Sequence, residues 1–189
     1  MDEVVSPTVR RIVGPTILLN SGSYFDFVDP AGCTFTIDDV AHGLSMTCRF
    51  AGQCRDFYSV AQHSVLLSEI VPEEDAYAGL MHDAAEAFVE DMSRPLKDLV
   101  AEYRVVEKRV EAAVFARFGV PCPLPASVKE ADIVMLATEQ RQLMRNRDDW
   151  NYTRGRATAP ITITSWSPAE AEARFLDRHA EISARGGRP

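Results

Sequence analysis

The chain has 189 residues, of which 46% are hydrophobic and 25% charged, a composition typical of one globular domain rather than of a disordered chain. Acidic residues number 28 against 20 basic ones, giving a net charge of -8. This balance argues against an extended basic surface for a nucleic-acid polymer, but it leaves room for a small anionic substrate. No apolar run approaches the roughly 18 residues of a membrane-spanning helix, and the four cysteines form no CxxC pair. We therefore expect a cytoplasmic protein with reduced thiols and no membrane contact.

Two short β-like segments precede a series of helices. Residues 16–19 and 24–28 flank a cluster of turn-forming residues and predict a hairpin. Beyond residue 36, apolar residues recur at helical spacing, and prolines and glycines mark helix ends. The predicted helices cover residues 37–48, 59–71, 75–88, 96–118, 128–145 and 168–184, and a short strand covers 161–164. The predicted fold class is all-α, with small β-strand decorations at the N-terminus and near residues 161–164.

One domain is predicted for residues 1–189. Its helical core spans about 36–145, preceded by a β-like extension over 1–35 and followed by a strand and helix over 160–185. Gly43 interrupts the first helical pattern, where glycine is unfavourable. The sequence Ser127-Val-Lys-Glu130 has the spacing of a capping box, which predicts that Ser127 opens the helix over 128–145. The tail over 185–189 is expected to fray.

Side chains that commonly bind metals lie among apolar residues of the predicted helices. His63 lies in the apolar stripe of its helix, His82 and Asp83 interrupt an apolar stretch, and Asp132 lies on the same row as Leu136, Glu139 and Leu143. A buried carboxylate needs a hydrogen-bonding partner, an opposite charge or a metal. Two imidazoles and two carboxylates suit Zn, Mn, Co, Ni or Fe, whereas Mg more naturally takes oxygen ligands alone.

Simpler interpretations are open for each residue. A lone histidine on an apolar helix face is more often a core residue than a ligand. An aspartate in the first turn of a helix, as Asp132 is predicted to be, is favoured by the helix dipole. The histidines could also satisfy the carboxylates by hydrogen bonds alone, so a metal site and a hydrogen-bonded core remain alternatives at this point.

The order of these residues, H…HD…D, resembles the HD-domain metal-dependent phosphohydrolase superfamily. Three segments within residues 41–143 carry the resemblance: Tyr58-Ser-Val-Ala-Gln-His-Ser64, His82-Asp-Ala-Ala-Glu-Ala-Phe-Val-Glu-Asp-Met-Ser-Arg-Pro-Leu-Lys97 and Lys129-Glu-Ala-Asp132. The second is similar to the segment that follows the HD pair in bacterial 5'-deoxynucleotidases. The resemblance implies an HD-domain helical bundle.

It also implies roles for individual residues. One divalent transition metal (Zn, Co, Mn, Ni or Fe), with Mg as a candidate second ion, would be bound by His63, His82, Asp83 and Asp132. Glu86, one turn after the HD pair, would orient or deprotonate the attacking water, and Asp91 would help to hold the sugar or the water. The implied substrate-binding residues are Arg49, Phe50, Arg94 and Lys97. Phe50 stands where the family has a tryptophan that contacts the sugar.

The resemblance implies hydrolysis of deoxynucleoside 5'-monophosphates to nucleoside and phosphate. The nearest alternative is a deoxynucleoside triphosphate triphosphohydrolase on the same fold, which would need further basic residues such as Arg55, Arg94, Arg104 or Arg109. A second alternative is a non-catalytic nucleotide-sensing or partner-binding helical module with a structural metal, although such a site has no use for Glu86. A small nucleotide, and neither a nucleic-acid polymer nor a membrane, is the expected partner; a homo-oligomer is left open.

Overall fold

The computed structural model describes residues 14–186 and confirms a mainly helical fold. Strands β1 (Thr16–Leu18) and β2 (Tyr24–Asp26) form the predicted antiparallel hairpin, with Ile17 opposite Phe25. The helices follow in this order: α1 (Ile37–Met46), α2 (Val60–Ile70), α3 (Ala76–Met81), α4 (Glu86–Val89), α5 (Arg94–Lys97), α6 (Ala101–Phe118), α7 (Ala126–Leu143) and α8 (Pro168–Gly186). None of them combines the length and the hydropathy that crossing a bilayer requires. The tail predicted to fray over 185–189 is helical at residues 185 and 186, and residues 187–189 lie outside the described residues, as do residues 1–13 of the predicted β-like extension.

Helix α2 is the centre of the bundle. Nine of its eleven residues, from Val60 to Ser68, are buried, and it packs against α1, α3, α7 and α8. Its first turn is capped by Ser59, whose Oγ accepts a hydrogen bond from the backbone N–H of Gln62. A helix buried on all sides holds its side chains in fixed positions, and His63 is one of them.

Aromatic packing connects the hairpin to α4. The rings of Phe25 and Phe88 stack with centroids 4.1 Å apart, and Phe35 meets both rings edge to face at 5.5 and 5.1 Å. All three side chains are buried, and burial of this much aromatic surface is strongly favourable. Phe88 lies two residues after Glu86, so the N-terminal hairpin fixes the position of the short helix that carries Glu86.

Two predicted helices differ from the observed ones. The helix predicted over 75–88 is divided by a turn at residues 82–85 into α3 and α4. The helix predicted over 96–118 begins only at Ala101, because Pro95 starts a separate short helix and the chain leaves helical geometry at Val100 (φ -122°, ψ 84°).

Two local predictions are wrong. Residues 161–164 form no strand. Their backbone groups pair with the side-chain amide of Gln142 and not with a second strand: the amide donates to the carbonyl of Ile161 and accepts from the N–H of Ile163. The capping box at Ser127 does not form either. Helix α7 begins at Ala126 without a side-chain cap, and the Ser127 hydroxyl donates instead to Asp75.

Gly43 marks the closest approach of α1 and α4. A Cβ atom added at Gly43 would lie 2.7 Å from the carbonyl oxygen and 2.9 Å from the Cβ of Ala87. Both distances are below van der Waals contact, so only glycine lets the two helices cross here. The glycine that is unfavourable for α1 alone is therefore required by the packing of α4.

We expect Gly43→Ala to lower the free energy of unfolding by about 1–3 kcal/mol, because overpacking at the crossing outweighs the roughly 1 kcal/mol gained in helix propensity. Denaturant unfolding measures the difference. Met46→Ala, at an exposed position of the same helix, is the matched control and should stay within about 0.5 kcal/mol of the wild type. A Gly43→Ala protein as stable as the control would contradict the proposed close contact.

Candidate metal centre

The four predicted metal ligands come from three parts of the bundle. His63 lies in the first turn of α2, His82 and Asp83 lie in the turn between α3 and α4, and Asp132 lies on α7. Because α7 begins at Ala126, Asp132 is in its second turn, where the helix dipole has little effect. The dipole therefore does not explain this aspartate.

The turn at 82–85 tightens the chain where the ligands lie. The N–H of Ala84 bonds to the carbonyl of Met81 and that of Glu86 to the carbonyl of Asp83, each three residues back instead of four. Such a stretch inside a helical region is frequent at functional sites. Here it presents His82 and Asp83 towards α2 and returns the chain to helix at Glu86.

Three ligand atoms form a close group, and an oxygen of Asp83 lies beside two of them. The Nε2 atom of His63 lies 3.3 Å from Nε2 of His82, 3.4 Å from Oδ1 of Asp132 and 3.7 Å from Oδ2 of Asp83. Nε2 of His82 lies 3.0 Å from the same Asp83 oxygen. The ligand atoms of His63, His82 and Asp132 all lie within 4.8 Å of one another, so this group could hold a metal ion.

The other ring nitrogens already have partners. Nδ1 of His82 lies 2.8 Å from the carbonyl oxygen of Gly79, and Nδ1 of His63 lies 2.5 Å from Oε1 of Glu139. In the neutral form of each ring, with the proton on Nδ1, Nδ1–H donates outward and the Nε2 lone pair is directed at the cluster; a metal bound there would take the place of the second proton of His63. Metal-binding histidines are oriented in this way, so the donor set fits a transition metal.

The site is buried unequally. The side chains of His63 and His82 are 0% and 5% exposed, whereas those of Asp83 and Asp132 are 22% and 40% exposed. The imidazoles therefore form the floor of the site and the carboxylates its solvent side.

Glu139 is a functional residue that the sequence reasoning did not select. It lies on α7, fully buried, and accepts hydrogen bonds from Arg49 Nη2 (3.0 Å) and the Tyr58 hydroxyl (2.9 Å) in addition to its contact with His63. Its pKa is lowered, because the positive charges of Arg49 and His63 outweigh the effect of burial, which opposes ionisation. The available signal was a carboxylate seven residues after Asp132 on an otherwise apolar row.

The neighbouring charges are coupled to this network. Burial and the charge of Arg49 oppose protonation of His63, but Glu139 and Asp132 outweigh them and raise its pKa to about 9. Burial likewise opposes ionisation of Asp132, yet its hydrogen bond and charge interaction with His63 lower its pKa. Each charge in the cluster depends on a partner of opposite sign.

Arg49 connects the network to Asp83. Its Nη1 atom lies 3.6 Å from Oδ2 of Asp83, while Nη2 is bonded to Glu139, and the residue is buried. Phe50 lies beneath the guanidinium, with the Arg49 Cζ atom 5.5 Å from the ring centroid. The predicted pair of substrate residues is therefore adjacent to the metal ligands, and the phosphate contact of Arg49 stays a prediction.

Glu86 is buried at the start of α4. Its Oε1 atom lies 3.8 Å from Nζ of Lys97, and Oε2 has no hydrogen-bond partner among residues 14–186. Burial, followed by the charges of Asp83 and Asp91, raises its pKa well above the ordinary value. Burial also raises the pKa of Asp91. Glu86 is thus a carboxyl group with one free oxygen, electrostatically coupled to a ligand of the cluster.

The remaining predicted substrate residues lie farther from the cluster. Lys97 bonds to Glu107 as well as approaching Glu86. Arg94 is exposed, with its guanidinium 4.9 Å from the ring centroid of Tyr152, and within residues 14–186 it forms no hydrogen bond or ion pair with the four candidate ligands. Arg49 therefore lies beside Asp83, and Glu86 interacts with Asp83 through charge, whereas Arg94 is not in contact with the candidate ligands.

Strained backbone borders the site. Within residues 14–186, the non-glycine residues with positive φ are Phe50 (55°), Ala51 (52°) and Glu90 (66°). Each such residue costs of the order of 1–3 kcal/mol and persists only where surrounding contacts impose it. Two follow Arg49 and the third precedes Asp91, so the strain is concentrated in the segments that carry these side chains.

We expect Asp132→Ala to reduce the amount of metal that the purified protein retains, because it removes one of the converging ligand atoms. Elemental analysis after desalting measures the metal-to-protein ratio. Glu130→Ala, an exposed acidic position on the same helix, should retain the wild-type ratio. Equal metal content in the two variants would exclude Asp132 as a ligand.

Glu139→Gln keeps the size of the side chain but removes the charge that orients His63 and Arg49. Partners of this kind typically contribute about 10- to 100-fold to metal affinity. We therefore expect the metal dissociation constant, measured by competition with a chelating dye, to rise by about this factor while the helical circular dichroism persists. Unchanged affinity would show that Glu139 acts on the fold alone.

Sequence comparison gives two relatives that cover most of the chain, although none of the protein-family models matches it. The chain is 39% identical over 165 residues to the uncharacterized protein YfdR of Escherichia coli, covering 86% of this chain and 93% of YfdR. It is 38% identical over 183 residues to an uncharacterized protein of Rhodobacter capsulatus, covering 84% of this chain and 91% of that one. The chain therefore belongs to the same protein family as YfdR.

Proposed function

We propose that this protein is a metal-dependent phosphohydrolase that converts deoxynucleoside 5'-monophosphates to nucleoside and phosphate. The observation that carries the proposal is the group formed by His63, His82 and Asp132, whose ligand atoms lie within 4.8 Å of one another, with Asp83 beside both histidines. On the adjacent helical turn, Glu86 has an oxygen with no hydrogen-bond partner among residues 14–186. A structural metal site does not require such a carboxylate, whereas a hydrolase needs a group that exchanges a proton with water.

The proposed metal would be held by the two imidazole Nε2 atoms and by the carboxylates of Asp83 and Asp132. When bound, a divalent transition metal would lower the pKa of a water molecule attached to it and would polarise a phosphoryl oxygen. The nitrogen-rich donor set favours Mn, Co, Ni, Zn or Fe over Mg, which takes oxygen ligands. A second ion, if Mg, would be held by the carboxylate oxygens on the exposed side of the site.

Glu86 is proposed to manage the proton. Burial and the charges of Asp83 and Asp91 raise its pKa, which makes this carboxylate a stronger base than an exposed one and suits a group that accepts and returns a proton. Asp91, whose pKa is also raised, follows the strained Glu90 and is proposed to hold the sugar or the water. Both residues thus reach the substrate from the chain that follows the HD pair.

Arg49 is proposed to balance the phosphate charge. It is held beside Asp83 by Glu139, so a phosphate bound near the metal ligands would meet a guanidinium whose position is fixed before binding. A preorganised charge of this kind favours the transition state because it needs no rearrangement.

The distribution of the other arginines favours a monophosphate over a triphosphate. Arg55 donates to the carbonyls of Gln142 and Leu143, Arg104 pairs with Asp98, and Arg109 donates to the carbonyl of Phe27. The arginines that a triphosphate would need are therefore engaged elsewhere. Arg94, which is also exposed, is the member of this set whose side chain makes no hydrogen bond or ion pair among residues 14–186.

A substrate panel tests the proposal. Protein stripped with a chelator is reloaded with Mn, Co, Zn, Ni or Mg and incubated with deoxynucleoside and ribonucleoside 5'-mono- and triphosphates. We expect metal-dependent release of phosphate from deoxynucleoside monophosphates. Release of tripolyphosphate from triphosphates would support the triphosphohydrolase instead, and metal binding without any turnover would support the non-catalytic module.

Glu86→Gln should lower kcat by about 100- to 10,000-fold, the usual contribution of a general acid or base, while leaving the metal content unchanged. Steady-state kinetics and elemental analysis on the same preparation measure both. Glu102→Gln, the same substitution at an exposed position of α6, should keep the wild-type rate. A loss of less than about tenfold in Glu86→Gln would contradict the proton-handling role.

A further inference from the structure

The loop that follows α7 carries two aromatic side chains that the bundle does not use. Trp150 and Tyr152 belong to neither hydrophobic cluster of the described core, and the same is true of Phe50. Tyr152 is exposed, and Trp150 and Phe50 are half-buried. Large aromatic surface left outside the core is unfavourable in water unless something covers it.

This loop touches the proposed site at two points. The Trp150 ring lies 6.1 Å from the ring of Phe50, which is adjacent in sequence to Arg49. The Tyr152 ring lies under the guanidinium of Arg94, in the segment that follows Asp91. Residues 150–152 therefore span from the Arg49 side to the Asp91 side of the site.

The loop is also held in place. The side chain of Gln140 on α7 donates to the carbonyl of Asp148 and accepts from the hydroxyl of Thr153, and both Gln140 and Thr153 are buried. Gln140 follows Glu139 directly, so the residue that fixes the loop adjoins the residue that orients His63 and Arg49. Trp150 is thus positioned by the same helix as the candidate metal centre.

The rings of Phe50 and Trp150 are only half covered by the described residues. The planes of Phe50 and Trp150 are inclined by 51°, so the two rings do not stack on each other and cannot cover each other's faces. Flat aromatic faces beside a positive charge that could hold a phosphate suit a nucleotide, because every nucleobase has a flat π-face that can stack on an aromatic ring. A phosphate ester without a base would gain nothing from them.

We propose that Trp150, together with Phe50, forms the wall of a nucleobase-binding subsite. The proposal rests on the proposed function for the identity of the ligand. It assigns base recognition to a loop outside the segments that supply the metal ligands, with the phosphate end at Arg49 and the base end at Trp150. Tyr152 and Arg94 form the far edge of this wall.

The chain allows a direct binding test because it contains two tryptophans, Trp150 and Trp166. Trp166 packs against the core and lies under Arg174. Deoxyadenosine 5'-monophosphate is titrated into chelator-treated protein, in which no turnover occurs, and indole fluorescence is recorded. We expect saturable quenching in the wild type and in Trp166→Phe, and none in Trp150→Phe. Quenching that disappears in Trp166→Phe and persists in Trp150→Phe would overturn the proposal.

Kinetics provide the second test. Trp150→Ala should raise KM for deoxyadenosine 5'-monophosphate about tenfold or more, since stacking of one base contributes on this scale, and Trp150→Phe should recover part of the loss. Turnover of deoxyribose 5-phosphate, which lacks the base, should be the same in all three proteins. Tyr24→Ala, an exposed aromatic in the hairpin, is the control for loss of surface area.

The two proposals fail in distinguishable ways. Equal losses on both substrates in Trp150→Ala, with activity retained in the wild type, would overturn the nucleobase subsite and leave the hydrolase intact. Absence of turnover in the wild type, with Trp150-dependent quenching by the nucleotide, would overturn the hydrolase and leave the subsite intact.

Discussion

A single buried carboxylate holds the functional end of the bundle together. Glu139 has no exposed surface, and removing a charge from water is costly unless partners replace the hydration. Arg49, His63 and Tyr58 supply those partners, and they come from the segments before and within α2. Each of the four polar groups would be unfavourable here without the others. The contacts that pack α7 against α2 are therefore also the contacts that orient His63 and Arg49 in the site.

The position of Glu86 depends on a different set of contacts. The turn at 82–85 ends α3, and α4 begins with Glu86 and is fixed by Phe88 against the hairpin and by Gly43 against α1. The hairpin, which lies outside the helical bundle, therefore contributes to the placement of a proposed catalytic group. A substitution in the hairpin core can be expected to act on the site through this route.

The sequence predicted those features that depend on local pattern. Periodicity was sufficient for α1, α2 and α8. Ligand-type residues on apolar faces were sufficient to select His63, His82 and Asp132, which the fold groups together, while Asp83 as a ligand stays a prediction. The break at 82–85 was missed because its helical periodicity continues through it, and only tertiary packing decides where the turn tightens. Glu139 was missed because a single carboxylate on a helix row is ordinary until three partners surround it. The strand expected at 161–164 does not form for a related reason. Its backbone groups pair with the side chain of Gln142, and the local sequence pattern gives no sign of this long-range contact.

The unequal burial of the four ligands has a consequence for exchange with the surroundings. The imidazoles are anchored through their Nδ1 atoms and enclosed by the bundle, whereas the Asp132 carboxylate is partly in contact with solvent. The carboxylates therefore form the side that solvent reaches, and the imidazoles opposite them are held by partners outside the cluster. An ion bound as proposed would therefore exchange with the medium through the carboxylate side, without unfolding of the helices that enclose the imidazoles.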